Sequence, residues 1–262
     1  MSILSEILAH KRTEVDLARR RLSLGEIRRR LQDAPPPRDF RGALQNADPP
    51  GLIAEIKRAS PSGGVLRADF APIAIARTYE ANGAACISVL TDERYFEGSL
   101  DQLAAVRGAV SLPVMRKDFI IDEYQLYESR LAGADAVLLI VAALQPGDLS
   151  RLMSVAWSLG MAAFVEVHDA SELDEALRTQ AQLIGINNRD LHVFRTKLST
   201  TLELMQRVPA GRLVISESGI KTRKDVLALR NAGVQGMLVG EALMREPDVG
   251  AKVRELLGAT PL

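Results

Sequence analysis

The chain has 262 residues, with 33 basic and 33 acidic side chains, so its formal net charge is zero. A composition of 47% hydrophobic and 25% charged residues is that of a globular protein and excludes intrinsic disorder. The lack of a basic excess argues against a nucleic-acid partner, and the single cysteine, Cys86, excludes an intramolecular disulfide.

The first 48 residues are predicted to form a helical extension. A second helical stretch from Leu24 to Leu31 runs into three consecutive prolines. We expect residues 1–48 to pack as an amphipathic extension over one end of the remaining fold, with a partner-binding helix as the alternative. The first stretch keeps roughly helical spacing of its inward positions, which are Ile3, Leu4, Ile7, Leu8, Lys11 and Val15.

Neither a secretory signal nor a membrane span is predicted. The N-terminus lacks the long apolar core and the small-residue cleavage site of a signal peptide. The longest apolar run, at residues 136–144, is about half the length that crosses a bilayer. We therefore expect a cytoplasmic protein with no membrane partner.

From Gly51 onward one unit recurs, in which a helical stretch ends at glycine and a short apolar run follows. Glycine suits the left-handed position that ends a helix, and an unbroken apolar run suits a parallel strand buried on both faces. The clearest copies are ANGAACISVL at 81–90, LAGADAVLLI at 131–140, SLGMAAFVEV at 158–167 and NAGVQGMLVG at 231–240.

Eight such apolar runs are predicted as strands, and their starts lie roughly 20 to 35 residues apart, which is the length of one strand, one helix and two connections. The predicted strands are Leu52–Ile56, Cys86–Leu90, Leu112–Met115, Ala136–Val141, Ala162–Val165, Leu183–Ile186, Leu213–Ile215 and Gly236–Val239.

Helix signals lie between the strands. Asp69 with Pro72 can open a helix that closes at Asn82-Gly83, and Asp122 can cap the stretch that ends at Leu131. Residues 171–174, Ser-Glu-Leu-Asp, resemble a capping arrangement for the helix that follows the fifth strand.

Eight alternating β and α units indicate the α/β class and a (β/α)8 TIM barrel over residues 49–262, with the N-terminal extension forming part of one structural domain. A doubly wound open sheet is the competing fold. It usually carries a glycine-rich GxGxxG turn after the first strand, whereas this chain has KRASPSGG at 57–64. The barrel is therefore favoured.

Charged and amide side chains stand at the predicted strand ends, where a barrel builds its active site. Any one of them could belong to a structural ion pair, but buried strands do not need charges at so many ends. We assign Arg116 and Asp118 to structural roles. His168 is interpreted as a loop or helix-capping histidine rather than a base. The candidate catalytic residues are Glu55, Lys57, Lys117, Glu166, Asn187 and Glu217.

Glycines after the last two strands indicate a phosphate site. Ser218-Gly219 follows the seventh strand and Gly240-Glu241 follows the eighth, where barrels often hold phosphate through backbone N–H groups. Ser60 and Ser62 after the first strand, and Arg189 after the sixth, can add donors.

These segments resemble the indole-3-glycerol-phosphate synthase family, in the family's order and over the whole predicted barrel. The N-terminal helical extension is similar as well. One departure is Gly63, where many relatives have a lysine. The matching motifs are EIKRASPSGG (55–64), SVLTDERYFEGS (88–99), MRKDFIIDEYQ (115–125), LLIVAAL (138–144), VEVHDASEL (165–173), IGINNRDL (184–191), ISESGI (215–220) and LVGEALMR (238–245).

The resemblance implies a carboxy-lyase of tryptophan biosynthesis. Its reaction closes the ring of 1-(2-carboxyphenylamino)-1-deoxyribulose 5-phosphate, with loss of carbon dioxide and water. By resemblance, Lys117 protonates the ribulose carbonyl, and Lys57 places the substrate carboxylate and can act as the acid in dehydration. Glu166 handles protons or stabilises the iminium, with support from Glu55; which glutamate moves the proton stays open.

The remaining roles concern substrate binding. By resemblance, Asn187 and Glu217 orient the sugar hydroxyls and the lysines, and Ser218 helps to hold the substrate. Phe96 and Phe119 can pack on the anthranilate ring. We expect no metal and no cofactor, because no metal-ligand spacing or nucleotide fingerprint is present, and a monomer rather than an oligomer.

Other functions remain open on the sequence. A Schiff-base sugar-phosphate aldolase would use Lys117 or Lys57 as nucleophile. A non-catalytic barrel that binds a phosphorylated metabolite would leave the carboxylates at the strand ends unexplained. A phosphosugar isomerase is possible on fold alone.

Overall fold

Eight parallel strands close into a barrel in the computed structural model, which describes residues 3–61, 63–190 and 195–259. Each strand pairs with its sequence neighbours, and the first strand also pairs with the last, through Gly51 opposite Gly236. The strands are β1 (Gly51–Ile56), β2 (Cys86–Leu90), β3 (Val114–Lys117), β4 (Ala136–Ile140), β5 (Ala162–Val167), β6 (Leu183–Asn187), β7 (Leu213–Glu217) and β8 (Gly236–Val239).

The predicted (β/α)8 barrel is confirmed, and its strand bounds are corrected at several places. The predicted third strand, Leu112–Met115, begins two residues too early and ends two residues too early. Strands β5, β6 and β7 also continue past their predicted ends, by two, one and two residues. The predicted strands ended at the first polar side chain. In the structure the backbone pairing between strands continues, because those polar side chains have partners at the carboxyl ends of the strands. Val141 was predicted in the fourth strand, but it begins a short 3-10 turn.

Thirteen α-helices surround the barrel or precede it in the described part of the chain. They are α1 (Ile3–Arg21), α2 (Leu24–Arg30), α3 (Phe40–Gln45), α4 (Pro72–Ala81), α5 (Glu93–Phe96), α6 (Leu100–Ala109), α7 (Glu123–Leu131), α8 (Asp148–Ser158), α9 (Ala170–Leu177), α10 (Ser199–Met205), α11 (Arg223–Asn231), α12 (Glu241–Met244) and α13 (Val249–Leu257). None of the described helices is long and apolar enough to cross a membrane.

The predicted helix ends are partly confirmed. Asp122 caps α7 with a reciprocal capping box, and Pro72 is the first residue of α4. Asp69 makes no cap for α4, since its carboxylate pairs with Arg67. The capping role predicted for residues 171–174 is also wrong, because the Asp169 side chain accepts the Glu172 N–H and caps α9 two residues earlier.

The N-terminal region contacts both ends of the barrel. At the amino ends of the strands, Phe40 and Leu44 of α3 are almost fully buried and join the apolar cluster that fills the barrel interior. At the carboxyl ends, α1 runs past the loops after β2 and β3, where its Lys11 is buried against Asp92 and Asp118. The sequence predicted packing over one end only, because the pattern of α3 is too short to be recognised as a helix.

Candidate active site at the carboxyl ends of the strands

A cavity of about 680 Å³ lies at the carboxyl ends of the strands. Every predicted catalytic, substrate-binding or phosphate-binding residue lines this cavity. The residues that were chosen at the ends of separate predicted strands therefore meet in one place in the barrel. Ser62, predicted as an additional donor, lies outside the described residues. The predicted residues in the wall are Glu55, Lys57, Ser60, Phe96, Lys117, Phe119, Glu166, Asn187, Arg189, Glu217, Ser218, Gly219, Gly240 and Glu241.

Lys117 stands at the centre of the charged residues in this cavity. Its Nζ lies 2.7 Å from Glu166 Oε2 and 2.8 Å from Glu217 Oε2. The three side chains come from β3, β5 and β7, and alternate strands of a barrel point their side chains into the same layer. The side chain of Lys117 is 13% exposed and the two carboxylates are almost completely buried. The Lys117 ammonium group therefore forms ion pairs with two buried carboxylates.

This arrangement separates the protonation states of the three groups. Burial disfavours the charge of Lys117, but Glu166 and Glu217 outweigh burial and hold its pKa well above the usual range. Burial likewise disfavours ionised Glu166, yet Lys117 and His168 hold the pKa of Glu166 well below its usual value. Burial raises the pKa of Glu217; Lys117 opposes this shift and the charge of Glu166 adds to it. Glu217 is thus the carboxylate that accepts a proton more easily.

Replacing Glu217 by Gln is expected to stabilise the fold at alkaline pH. Because the pKa of Glu217 is raised, its bound proton contributes stability below the ordinary glutamate pKa, and this contribution is lost as the pH rises. Gln keeps an acceptor for Lys117 without the charge. We expect urea unfolding at pH 8 to show a gain of about 1 kcal/mol for the variant.

The same comparison at pH 4 should show almost no difference, since both side chains are then neutral. Glu203→Gln on the exposed face of α10 is the matched control and should leave the unfolding free energy unchanged at both values. A Glu217→Gln variant that is less stable than the parent at pH 8 would contradict the raised pKa.

Glu55 and Lys57 form a second ion pair in the wall. Lys57 Nζ lies 2.6 Å from Glu55 Oε1, and both residues line the cavity. A Cβ atom at Gly240 would overlap the Glu55 carboxylate. Gly240 was predicted for its backbone approach to phosphate, and the structure gives it a further role, which is to leave room for Glu55.

Asn187 is oriented by its neighbours. Its Nδ2 donates to Glu166 Oε1 at 3.2 Å, and its Oδ1 accepts the Arg189 N–H at 3.1 Å. The side chain therefore links the loop after β6 to the central carboxylate. It lines the cavity and contacts Glu166.

The predicted phosphate residues lie together at one side of the cavity. Ser218 and Gly219 have positive φ values of 66° and 80°, which turn the chain sharply after β7. Gly240 is the N-cap residue of α12, and the carboxylate of Glu241 pairs with Arg189 at 3.3 Å. Because the Glu241 side chain is anionic, only its backbone N–H suits a phosphate.

An apolar wall faces this phosphate side. The rings of Phe96 and Phe119 lie with their centroids 6.2 Å apart in a tilted arrangement. The first turns of α1 add Ile3, Leu4 and Ile7 to the same wall. The sequence assigned these three residues to packing alone, because helical spacing shows an apolar face and not what covers it.

His168 follows β5 in a loop, as predicted, but its ring faces the site, which the sequence analysis did not foresee. Its Nε2 lies 3.2 Å from Glu166 Oε1, and its Nδ1 lies 3.0 Å from Glu172 Oε2. The signal was present, since Glu166 and His168 are two residues apart and share one face of the strand's continuation.

Arg116 and Asp118 have the structural role predicted for them. Arg116 Nη2 donates to Asp118 Oδ2 at 2.9 Å, and Lys11 Nζ lies 2.9 Å from Asp118 Oδ1. Both residues are buried next to Lys117, and Arg116 also donates to Glu128 of α7. Among the residues that the structure describes, no group of three His, Cys, Asp or Glu is placed to hold a metal ion.

Comparison with known proteins gives one family over nearly the whole chain. Residues 4–256 match the family model described as indole-3-glycerol phosphate synthase. An indole-3-glycerol phosphate synthase from Laribacter hongkongensis is 53% identical over 258 residues, which cover 97% of this chain and 98% of the relative. Another from Roseiflexus castenholzii is 52% identical over 265 residues and 98% of both chains.

Solved structures with a similar fold are more distant in sequence. Thiamine phosphate pyrophosphorylase from Pyrococcus furiosus matches with a TM-score of 0.58 at 17% identity, over 80% of this chain and 94% of that one. A mutant tryptophan synthase alpha-subunit from the same organism matches with a TM-score of 0.59 at 16% identity, over 79% of this chain and 98% of that one. At such identities the likeness concerns the barrel fold alone.

Proposed function

The chain belongs to the indole-3-glycerol phosphate synthase family, and from this premise we propose which of its residues carry each step of the reaction. The enzyme is a carboxy-lyase of tryptophan biosynthesis that acts on a phosphorylated small molecule. The observation that carries the proposal is Lys117, a cation held between Glu166 and Glu217 at the centre of the cavity. A site of this kind can donate a proton and stabilise the charges that follow.

Lys117 acts first, as the acid of ring closure. The aromatic carbon that bears the substrate carboxylate attacks the ribulose carbonyl carbon, and Lys117 gives its proton to the carbonyl oxygen. Its raised pKa keeps it protonated at neutral pH, so the proton is present when substrate binds. Glu166 and Glu217 stay close to the uncharged amine and can return a proton to it.

Decarboxylation and dehydration follow. The bond to the carboxylate breaks, carbon dioxide leaves, and the electron pair stays in the ring. Lys57, paired with Glu55, first holds the substrate carboxylate and then protonates the departing hydroxyl group. Glu166, whose lowered pKa keeps it ionised, takes the proton from the adjacent methylene carbon. Product formation then leaves indole-3-glycerol phosphate, carbon dioxide and water.

The substrate's two ends match the two sides of the cavity. Backbone N–H groups at Gly219 and at the start of α12, with Ser60 and Arg189, receive the phosphate. Ser218 and Asn187 contact the sugar hydroxyls. Phe96 and Phe119 lie against the anthranilate ring and exclude water from the reacting carbons.

The test of this function is the appearance of indole fluorescence when the purified protein meets 1-(2-carboxyphenylamino)-1-deoxyribulose 5-phosphate. Turnover that continues without added metal or cofactor is expected. A covalent adduct trapped by borohydride would indicate Schiff-base chemistry instead, and tight binding without turnover would indicate a barrel that only binds its ligand.

Gly240→Ala is expected to lower kcat/KM on the order of 10²-fold. The added Cβ overlaps the Glu55 carboxylate, which must move and take Lys57 with it, and small displacements of catalytic groups are costly. Steady-state kinetics measure the loss. Gly108→Ala in α6 is the control, because its added Cβ meets no atom within 4 Å, and it should leave kcat/KM unchanged. Full activity of Gly240→Ala would show that Glu55 need not keep this position.

We further propose that the protein works as a cytoplasmic monomer without a nucleic-acid partner. The zero net charge supports this proposal. So does the scattering of the large exposed apolar side chains that the structure describes, such as Leu17, Ile73 and Leu227, over separate helices. Sedimentation equilibrium at micromolar concentration should give the mass of one chain, and a concentration-dependent dimer would contradict the proposal.

A further inference from the structure

One carboxylate on the phosphate side of the cavity contacts two arginines. Glu241 is the first residue of α12, and its Oε2 lies 3.3 Å from Arg189 Nη2. Its Oε1 lies 3.0 Å from Arg245 Nε, one turn further along the chain. All three residues line the cavity, as do Gly219 and Gly240. The phosphate side of the cavity therefore already contains an anion.

This anion is present whenever the enzyme works near neutral pH. Burial disfavours the charge of Glu241, but Arg245 and Arg189 outweigh burial and lower the pKa of the carboxyl. A carboxyl group with a lowered pKa stays ionised through the neutral range. The contact between Glu241 and Arg189 is thus an ion pair under the conditions in which substrate binds.

The phosphate group needs the same guanidinium. In the proposed function Arg189 receives the phosphate together with backbone N–H groups. A guanidinium donates charge-assisted hydrogen bonds to phosphate and to carboxylate oxygens in the same way. An N–H group that donates to Glu241 is not free to donate to phosphate. Phosphate must therefore displace the carboxylate from Arg189, while Arg245 can still hold it.

We propose that the Glu241 carboxylate competes with the phosphate group of substrate and product for Arg189, which weakens phosphate binding and speeds product release. This role rests on the proposed function, because it requires a phosphorylated ligand on this side of the cavity. No covalent bond changes in the exchange. Arg189 gives up one anion for another, and Glu241 returns to Arg189 when the product leaves. Arg245 keeps the displaced carboxylate close by during the exchange.

Moderate affinity for phosphate suits this reaction, since substrate and product both carry the group. The phosphate takes no part in the bond changes. Contacts to it therefore stabilise the substrate, the transition state and the product alike, and they do not raise kcat. Very tight phosphate contacts would only retain the product. A competing carboxylate lowers this affinity and leaves in place the donors that orient the phosphate.

The expected size of the effect follows from the exposure of the ion pair. The side chains of Arg189 and Glu241 are 27% and 40% exposed. Because water screens such a pair, removing the competitor should strengthen phosphate binding only about fivefold. Glu241→Gln removes the charge, but it keeps the length of the side chain and the backbone N–H of the residue.

The experiment measures the binding of indole-3-glycerol phosphate by calorimetry. Glu241→Gln should bind this product about fivefold more tightly than the parent, and stopped-flow fluorescence should show slower product dissociation by the same factor. Indole-3-glycerol, which lacks the phosphate, should bind equally to both proteins. In an Arg189→Met background, Glu241→Gln should leave product affinity unchanged, because the shared guanidinium is absent.

Glu246→Gln is the matched control. Glu246 also lines the cavity, just after α12, and its carboxylate forms no ion pair with any residue that the structure describes. This variant should bind product as the parent does. Unchanged or weaker product binding by Glu241→Gln would overturn the proposal. Equal strengthening by Glu246→Gln would overturn it too, since any negative charge would then have the same effect.

Two further results would contradict competition for Arg189. One is tighter binding of indole-3-glycerol by Glu241→Gln, and the other is tighter product binding that persists in the Arg189→Met background. If the parent protein forms no product, the proposed function fails instead. A phosphorus NMR titration with inorganic phosphate then decides the role of Glu241. Tighter binding in Glu241→Gln than in Glu246→Gln would support the competition, and equal affinity would refute it.

Discussion

Lys117→Ala is expected to lower kcat by about 10²- to 10⁴-fold, the usual contribution of a placed general acid. Removal of the amine takes away the proton donor and leaves Glu166 and Glu217 facing each other without their shared cation. The charge of Glu166 then has no lysine beside it, so the charges that orient the substrate change as well. Indole fluorescence under saturating substrate measures the loss directly.

The control for this variant is Lys224→Ala, since Lys224 is exposed on α11 and does not line the cavity. Its kcat should equal that of the parent. Circular dichroism must show that Lys117→Ala is folded, and bound product should still protect it against heating. A folded Lys117→Ala variant with kcat within threefold of the parent would contradict the role of Lys117 as the acid.

Lys11→Met is expected to destabilise the protein by about 3 to 5 kcal/mol, which is the cost of breaking a buried ion pair from one side. Lys11 is 4% exposed, and its Nζ lies 2.8 Å from Asp92 and 2.9 Å from Asp118. Met fills similar space but leaves both buried carboxylates without this cation. For a chain of this size the midpoint of thermal unfolding should fall by about 10 °C.

A surface ion pair provides the comparison. Arg207 pairs with Asp174 at 2.8 Å, but both side chains are 44% exposed. Arg207→Met should therefore cost less than about 1 kcal/mol. If Lys11→Met cost no more than Arg207→Met, the buried cluster around Lys11 would not contribute to stability as we expect.

The effect of Lys11→Met should depend on pH. Burial disfavours ionised Asp118, but Arg116 and Lys11 hold its pKa well below the usual range, so this stabilisation is present above the ordinary aspartate pKa and lost as the pH falls. Burial likewise disfavours the charge of Lys11, but Asp118 and Asp92 raise its pKa, so its share is lost only in strong alkali. Denaturant titrations should show the largest difference between about pH 4 and pH 10, between the ordinary pKa values of the two groups.

The strands were predictable because each is a local apolar run, and the barrel follows from their number and spacing. Their ends were not predictable from hydrophobicity. Lys117 and Glu217 belong to strands although they are charged, since each finds its partner on another strand across the barrel mouth. Only the closed barrel brings those partners together. The sequence of a single strand does not show which residues of other strands it will contact.

The candidate site was also predictable only in part. Strand ends and family motifs identified the residues that line the cavity, whereas contacts between segments far apart in the sequence were not predicted. Lys11 carries a charge on an otherwise apolar helix face, and its partners Asp92 and Asp118 lie about eighty and more residues away. The orientation of His168 depends on Glu172, which belongs to a helix that had been given the wrong cap.

The position of α3 bears on how the chain folds. Phe40 and Leu44 are made early in synthesis, yet their apolar neighbours include Leu213 and Leu238 of the last two strands. The first strand likewise depends on the last, because one edge of β1 forms its backbone hydrogen bonds with β8. Contacts between residues so far apart in sequence give the chain a high contact order, which slows folding. A nascent chain that ends before β8 keeps an open sheet edge, so the barrel can close only after β8 has been made.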